Sequence, residues 1–104
     1  MSAVQARPAD LAVIRSVLAC QPKVRRAWVY GSRARGDAGR GADIDLAIEA
    51  PIATPVEFSR LRAQLDDSAL ILRFDLVRLD DLPDDSPLRR NVESDAKLIY
   101  QAGE

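Results

Sequence analysis

The chain has 104 residues, 47% of them hydrophobic and 30% charged, a balance that argues for one folded domain with a single core over residues 1–104. Its 15 Lys and Arg nearly offset its 16 Asp and Glu, so the chain as a whole offers no cationic field for direct binding of nucleic acid. Histidine is absent and Cys20 stands alone, which excludes Ser-His-Asp chemistry, a cysteine zinc site and any internal disulfide.

Whatever chemistry the chain performs must therefore rest on carboxylates, Arg or Lys, hydroxyls and backbone groups. No apolar run approaches the roughly 20 residues that span a bilayer. The N-terminus lacks the apolar core of a signal peptide, so a cytoplasmic protein without membrane contact is expected.

Pro8 to Cys20 reads as a helix, with Pro8 in the first turn and Leu11, Ile14 and Leu18 on one face. Gln21-Pro22 ends it. Val24 to Tyr30 reads as a strand, with Trp28, Val29 and Tyr30 matching β preference. Trp28 and Tyr30 read as core or sheet-surface residues. Gly31-Ser32 turns the chain, Arg33 to Asp37 suits a brief helical turn, and Ala38 to Ala42 is a loop with two glycines. A second strand covers Ile44 to Glu49 and stops at Pro51.

Thr54-Pro55-Val56-Glu57 has the form of a capping box, and Phe58, Leu61 and Leu65 continue the helix it starts. Asp66-Asp67-Ser68 breaks that period. Leu70 to Leu79 reads as a third strand, with Leu72, Phe74 and Leu76 on one side and Arg73, Asp75 and Val77 on the other. After a polar connection, Ser86-Pro87 opens a helix to Ser94 with Leu88 and Val92 inward, and Lys97 to Tyr100 suits a short edge strand. The order predicts an α/β (α+β) fold, a small mixed β-sheet flanked by helices.

Three features carry chemistry. Asp43 and Asp45 are two apart at the start of a strand, so they share a face while Ile44, Leu46 and Ile48 take the other. Paired acids there suit a hard cation such as Mg²⁺, although Asp-x-Asp at a strand start is also an ordinary solvated edge. Gly31-Ser32 has the composition of a phosphate cradle, and equally of a plain turn. Asp75 interrupts an apolar run, where a carboxylate needs a partner or shifts its pKa. An ion pair with Arg73 or Arg78, or a solvent-facing edge, accounts for it; so does convergence with Asp43 and Asp45, which would call for divalent metal between them. Arg33, Arg35 and Arg40 give the central loop a positive bias despite Asp37.

Together, Gly31-Ser32-Arg33-Ala34-Arg35-Gly36, Asp43-Ile44-Asp45-Leu46 and Phe74-Asp75-Leu76-Val77 resemble the minimal nucleotidyltransferases (MNT) of the DNA polymerase β superfamily. These small proteins are commonly paired with a HEPN-domain partner in prokaryotic toxin–antitoxin systems. The resemblance covers nearly the whole chain and implies a polymerase β-like nucleotidyltransferase core. It implies that Gly31, Ser32 and Arg33 bind the triphosphate of ATP. Asp43, Asp45 and Asp75 would be catalytic and would hold two Mg²⁺ ions, with Asp75 helping to deprotonate the incoming hydroxyl. The implied reaction is transfer of AMP to a hydroxyl, a tyrosine on the HEPN toxin, with this chain as the antitoxin. A non-catalytic antitoxin that neutralises its partner by contact is the alternative. One departure is Ala42, where many relatives carry Ser, which removes a hydrogen bond near the metals but no ligand. The chain also lacks a second domain to read an acceptor, so the acceptor is expected from a protein partner.

Overall fold

The computed structural model describes residues 4–39, 41–68 and 73–103. The expected start of the third strand, Leu70 to Leu72, and Arg40 lie outside the described residues. Four strands, β1 (Arg26–Tyr30), β2 (Ile44–Glu49), β3 (Phe74–Arg78) and β4 (Lys97–Gln101), form one sheet in the order β3-β2-β1-β4. β1 runs antiparallel to both β2 and β4, whereas β2 and β3 are parallel. The sheet is therefore mixed, as expected. Parallel β2 and β3 need a crossover, and α3 (Pro55–Asp66) supplies it.

The three longer helices start where their sequences say they should. α1 (Pro8–Ala19) has Pro at its first position, and α3 has the full capping box: Thr54 Oγ1 accepts from the Glu57 amide and Glu57 Oε1 from the Thr54 amide. α4 (Pro87–Asp95) is capped by Ser86, whose hydroxyl accepts from the Arg89 amide. A short α2 (Ser32–Arg35) follows β1 directly. It begins one residue earlier and ends two earlier than the expected turn, because the Gly31 carbonyl accepts the amides of Ala34 and Arg35 while Gly36, at φ +89°, closes the turn. β1 begins at Arg26, where pairing with Glu49 begins; Val24 is still buried but belongs to the turn before it. β3 stops at Arg78, and Leu79 opens a 3₁₀ turn to Asp81.

The two faces of the sheet differ. On one, Ile44, Leu46 and Ile48 of β2 meet Ile14 and Leu18 of α1 and Leu61 and Leu65 of α3, all at most 1% exposed. Burying such a side chain stabilises the fold by about 1.5–3 kcal/mol, so this layer holds the domain together. On the other face, Tyr30, Ala47 and Val92 form a smaller cluster beneath α4, with Trp28, Val77 and Leu88 packed against it. α4 covers only part of that face. The ends of β2 and β3 that carry the acids remain open to solvent, since Asp43 and Asp75 are exposed.

Candidate active site

Strand register builds the site. Tyr30 pairs with Asp45, and Asp45 pairs with Asp75, so three side chains line one row across β1, β2 and β3. Residues paired in register point to the same face of a sheet. Ile44 is anchored at the start of β2 by its amide, which donates to the Arg73 carbonyl at 2.9 Å, so Asp43 lies beside Arg73 at the same edge. Asp45 and Asp75 therefore share one face by register, with Asp43 at the same end of the sheet and the core residues Ile44, Leu46, Phe74 and Leu76 behind them.

The arginines near Asp75 take other partners. Arg73 reaches Asp43, 3.6 Å away. Arg78 donates to the Ala50 and Pro51 carbonyls, with Asp81 4.0 Å away. An ion pair with either does not explain Asp75; a solvent-facing place on an edge strand, opposite a like charge, does describe it. Asp45 is the most enclosed of the three. Burial pushes its carboxyl up, Asp75 and Asp43 push it further the same way, and Arg35 opposes them. Tyr30 feels the same charges: burial, then Asp45 and Asp75, raise its hydroxyl to about 12.

Gly31 decides how closely the turn after β1 approaches the acids. Its φ is +74° and its ψ −150°, and a Cβ at this position would stand 2.5 Å from Asp45 Oδ2. Only glycine fits, for backbone reasons and for space. Beyond Gly31, α2 uses the amides of Ala34 to Asp37 internally, while those of Ser32 and Arg33 have no partner among the described residues. Two amides and a Ser hydroxyl thus stand at the turn that passes over Asp45.

The loop arginines are committed. Arg33 donates from Nε and Nη2 to the Ala42 carbonyl at 3.0 and 2.7 Å, and from Nη1 to the Gln5 carbonyl at 2.6 Å. Arg35 pairs with Asp37 at 3.2 Å and with Asp95 of α4 at 2.9 Å. Of these two arginines only Arg35 is charge-paired; Arg33 keeps its charge but directs its guanidinium at carbonyls. The link from Arg35 to Asp95, 60 residues on, carries no signal in the sequence. Nor does Tyr30 as a neighbour of the acids, beyond its place just before Gly31.

The residues suit a divalent cation in their chemistry. They are hard oxygen donors, and the acidic neighbours of Asp45 raise its pKa, beneath a turn that the missing Cβ lets approach Asp45 closely. As the side chains stand, no group of three or more His, Cys, Asp or Glu among the described residues closes round a point to hold a metal.

Residues 12–104 match the family Polymerase beta, Nucleotidyltransferase. The chain belongs to that family. This nucleotidyltransferase is also similar to solved structures. A chain of a toxin–antitoxin complex crystallised with AMP-PNP is 26% identical, with a TM-score of 0.72 over 88% of this chain and 73% of that one. A candidate minimal nucleotidyltransferase is 28% identical, with a TM-score of 0.58 over 86% and 88%. A chain from the complex of tri-AMPylated Shewanella oneidensis HEPN toxin with MNT antitoxin shares the fold, at 24% identity and a TM-score of 0.67 over 90% and 71%. Among curated proteins no sequence matches. No helix of the described residues is long and apolar enough to cross a membrane.

Proposed function

We propose that this nucleotidyltransferase is the antitoxin of a toxin–antitoxin pair and transfers AMP from ATP to a hydroxyl, a tyrosine, of a HEPN toxin. The observation that carries the reading is the pairing of Asp45 with Asp75 in adjacent strands, with Asp43 two residues before and Gly31 pressed against Asp45. A protein that acted by contact alone would have no use for this accumulation of like charge. The AMP-PNP in one similar complex and the AMPylated toxin in another support the choice of nucleotide and acceptor.

The Ser32 hydroxyl and the amides of Ser32 and Arg33 hold triphosphate oxygens. Asp43, Asp45 and Asp75 would hold two Mg²⁺ ions, which when bound would neutralise the charge of the reacting phosphoryl group. The acceptor oxygen attacks the α-phosphorus in line. A P–O bond forms to the acceptor, the bond to the leaving pyrophosphate breaks, and the acceptor proton passes to the Asp75 carboxylate and on to solvent. The chain contributes positioning and charge, and this requires no histidine.

The test is transfer of label from α-labelled ATP. Wild-type protein with Mg²⁺ in an extract of the source cell should label one protein band, and the Asp43→Ala, Asp45→Ala double variant should label none. Capture of a partner without label from any NTP would favour the contact antitoxin instead, a reading consistent with the open arrangement of the three acids.

A further inference from the structure

We propose that Arg33 is a positioning residue for Asp43, and that Gln5 supports it through its backbone carbonyl, which holds the other end of the same guanidinium. This rests on the reading of Asp43 as a metal ligand. The peptide group is planar, so the Ala42 carbonyl and the Asp43 amide move as one unit. Arg33 fixes that unit with two hydrogen bonds to the carbonyl, at 3.0 and 2.7 Å. The next peptide is fixed as well, through the Ile44 amide on the Arg73 carbonyl at 2.9 Å. Asp43 thus sits between two pinned peptides, and these determine where its Cβ points.

The pin matters because Gly39, Gly41, at φ +75°, and Ala42 carry no side chain that could hold the turn before Asp43. Gln5 supports the pin from the far side. Its carbonyl accepts from Arg33 Nη1 at 2.6 Å, and its amide donates to the Arg33 carbonyl at 2.7 Å. Its side-chain amide pairs in both directions with Ala38, at 3.0 Å each way. The N-terminal segment, α2 and the loop before Asp43 are therefore one hydrogen-bonded unit. An arginine is needed at its centre, because a forked guanidinium can hold two carbonyls where an ammonium holds its partners as a point charge.

The test separates this role from a phosphate contact. Mn²⁺ binding, without nucleotide, is measured by electron paramagnetic resonance for wild type, Arg33→Ala, Arg33→Lys, Gln5→Ala, Asp43→Asn and the Arg33→Ala, Asp43→Asn double variant. KM for ATP and turnover are measured beside it. Arg33→Ala should weaken Mn²⁺ binding about tenfold or more, as for other residues that orient a ligand. Gln5→Ala should weaken it less, and Arg33→Lys should not restore it. Turnover should fall while KM for ATP changes by less than about twofold. The double variant should bind Mn²⁺ no worse than Asp43→Asn alone. Unchanged Mn²⁺ binding in Arg33→Ala with a large rise in KM would make Arg33 a phosphate ligand and overturn the proposal alone. Unchanged Mn²⁺ binding in Asp43→Asn would overturn the metal reading and the proposal with it. Should Arg33→Ala fail to fold, Arg33→Lys carries the test, with weaker Mn²⁺ binding and faster hydrogen exchange at the Ile44 amide expected and unaltered values counting against it.

Discussion

Gly31 and Asp45 are the residues whose chemistry is most tightly coupled. An alanine at position 31 needs both a backbone region that costs about 1–3 kcal/mol for any residue with a side chain and the 2.5 Å approach to Asp45 Oδ2. Gly31→Ala should lower stability by about that amount and abolish nucleotidyl transfer, as thermal unfolding and the label assay would show; near-wild-type turnover would mean that the turn can move away from Asp45 freely. Asp45 itself is held in an unfavourable place, since burial and its acidic neighbours raise its pKa. Such a group binds its proton more tightly folded than unfolded, so at neutral pH its charge works against the fold. Asp45→Asn should therefore raise the melting temperature at pH 7 while removing activity. The gain should shrink as pH falls through the raised pKa and disappear below the ordinary carboxylate range. A lower melting temperature at pH 7 would contradict this account.

At the scale of elements, caps and turns explain where the helices sit and how they aim their neighbours. The capping box of α3 satisfies the Glu57 and Thr54 amides together, and Lys23 adds an ion pair to Glu57 at 3.1 Å. Replacing Thr54 by Ala should cost about 1 kcal/mol, read from urea unfolding, with little change in transfer activity because this end of β2 is remote from Asp43. A loss several times larger would mean that α3 docks through its first turn. α2 is too short to stand alone; it exists because Gly31 and Gly36 both take positive φ and because Ala34 is fully buried against the core. The helix expected at Arg33 to Asp37 was legible as a tendency, but its frame depended on those two glycines.

For the molecule as a whole, the sheet closes with its last strand. β4 pairs with β1, places Ile99 in the core and receives the Arg15 guanidinium on the Ile99 carbonyl at 2.7 Å. The Ala102 amide reaches back to the Arg25 carbonyl at 2.8 Å. Truncation after Asp95 should leave β1 with an open edge and Ile14 and Leu18 short of a neighbour, giving a chain without cooperative thermal unfolding. A sharp transition within a few degrees of the full chain would show that β4 is dispensable. Because β1 leads directly into Gly31 and sits beside β2, loss of β4 should also remove the site.

Alternation and capping are local properties, so the helices, the strands, the division of β2 into an acid face and a core face, and the candidacy of Gly31, Ser32, Asp43 and Asp45 were all legible in the sequence. From the residues alone Asp75 was a charge in an apolar run, which an ion pair with Arg73 or Arg78, a solvent-facing edge or convergence with Asp43 and Asp45 could each explain; the family resemblance singled it out. Its pairing with Asp45 depends on β2 and β3 meeting in parallel register, which is a property of the assembled sheet. The same holds for Arg33. Taken in order, a loop arginine beside Gly-Ser reads as a solvated side chain, or under the family resemblance as a phosphate contact; its turn toward Ala42 and Gln5 arises because residues 9 and 28 positions away in sequence fold back to the same place. Periodicity determined what each residue offers; only the tertiary contacts decided which of those offers was taken, because hydrogen bonds and like charges act through space and not along the chain.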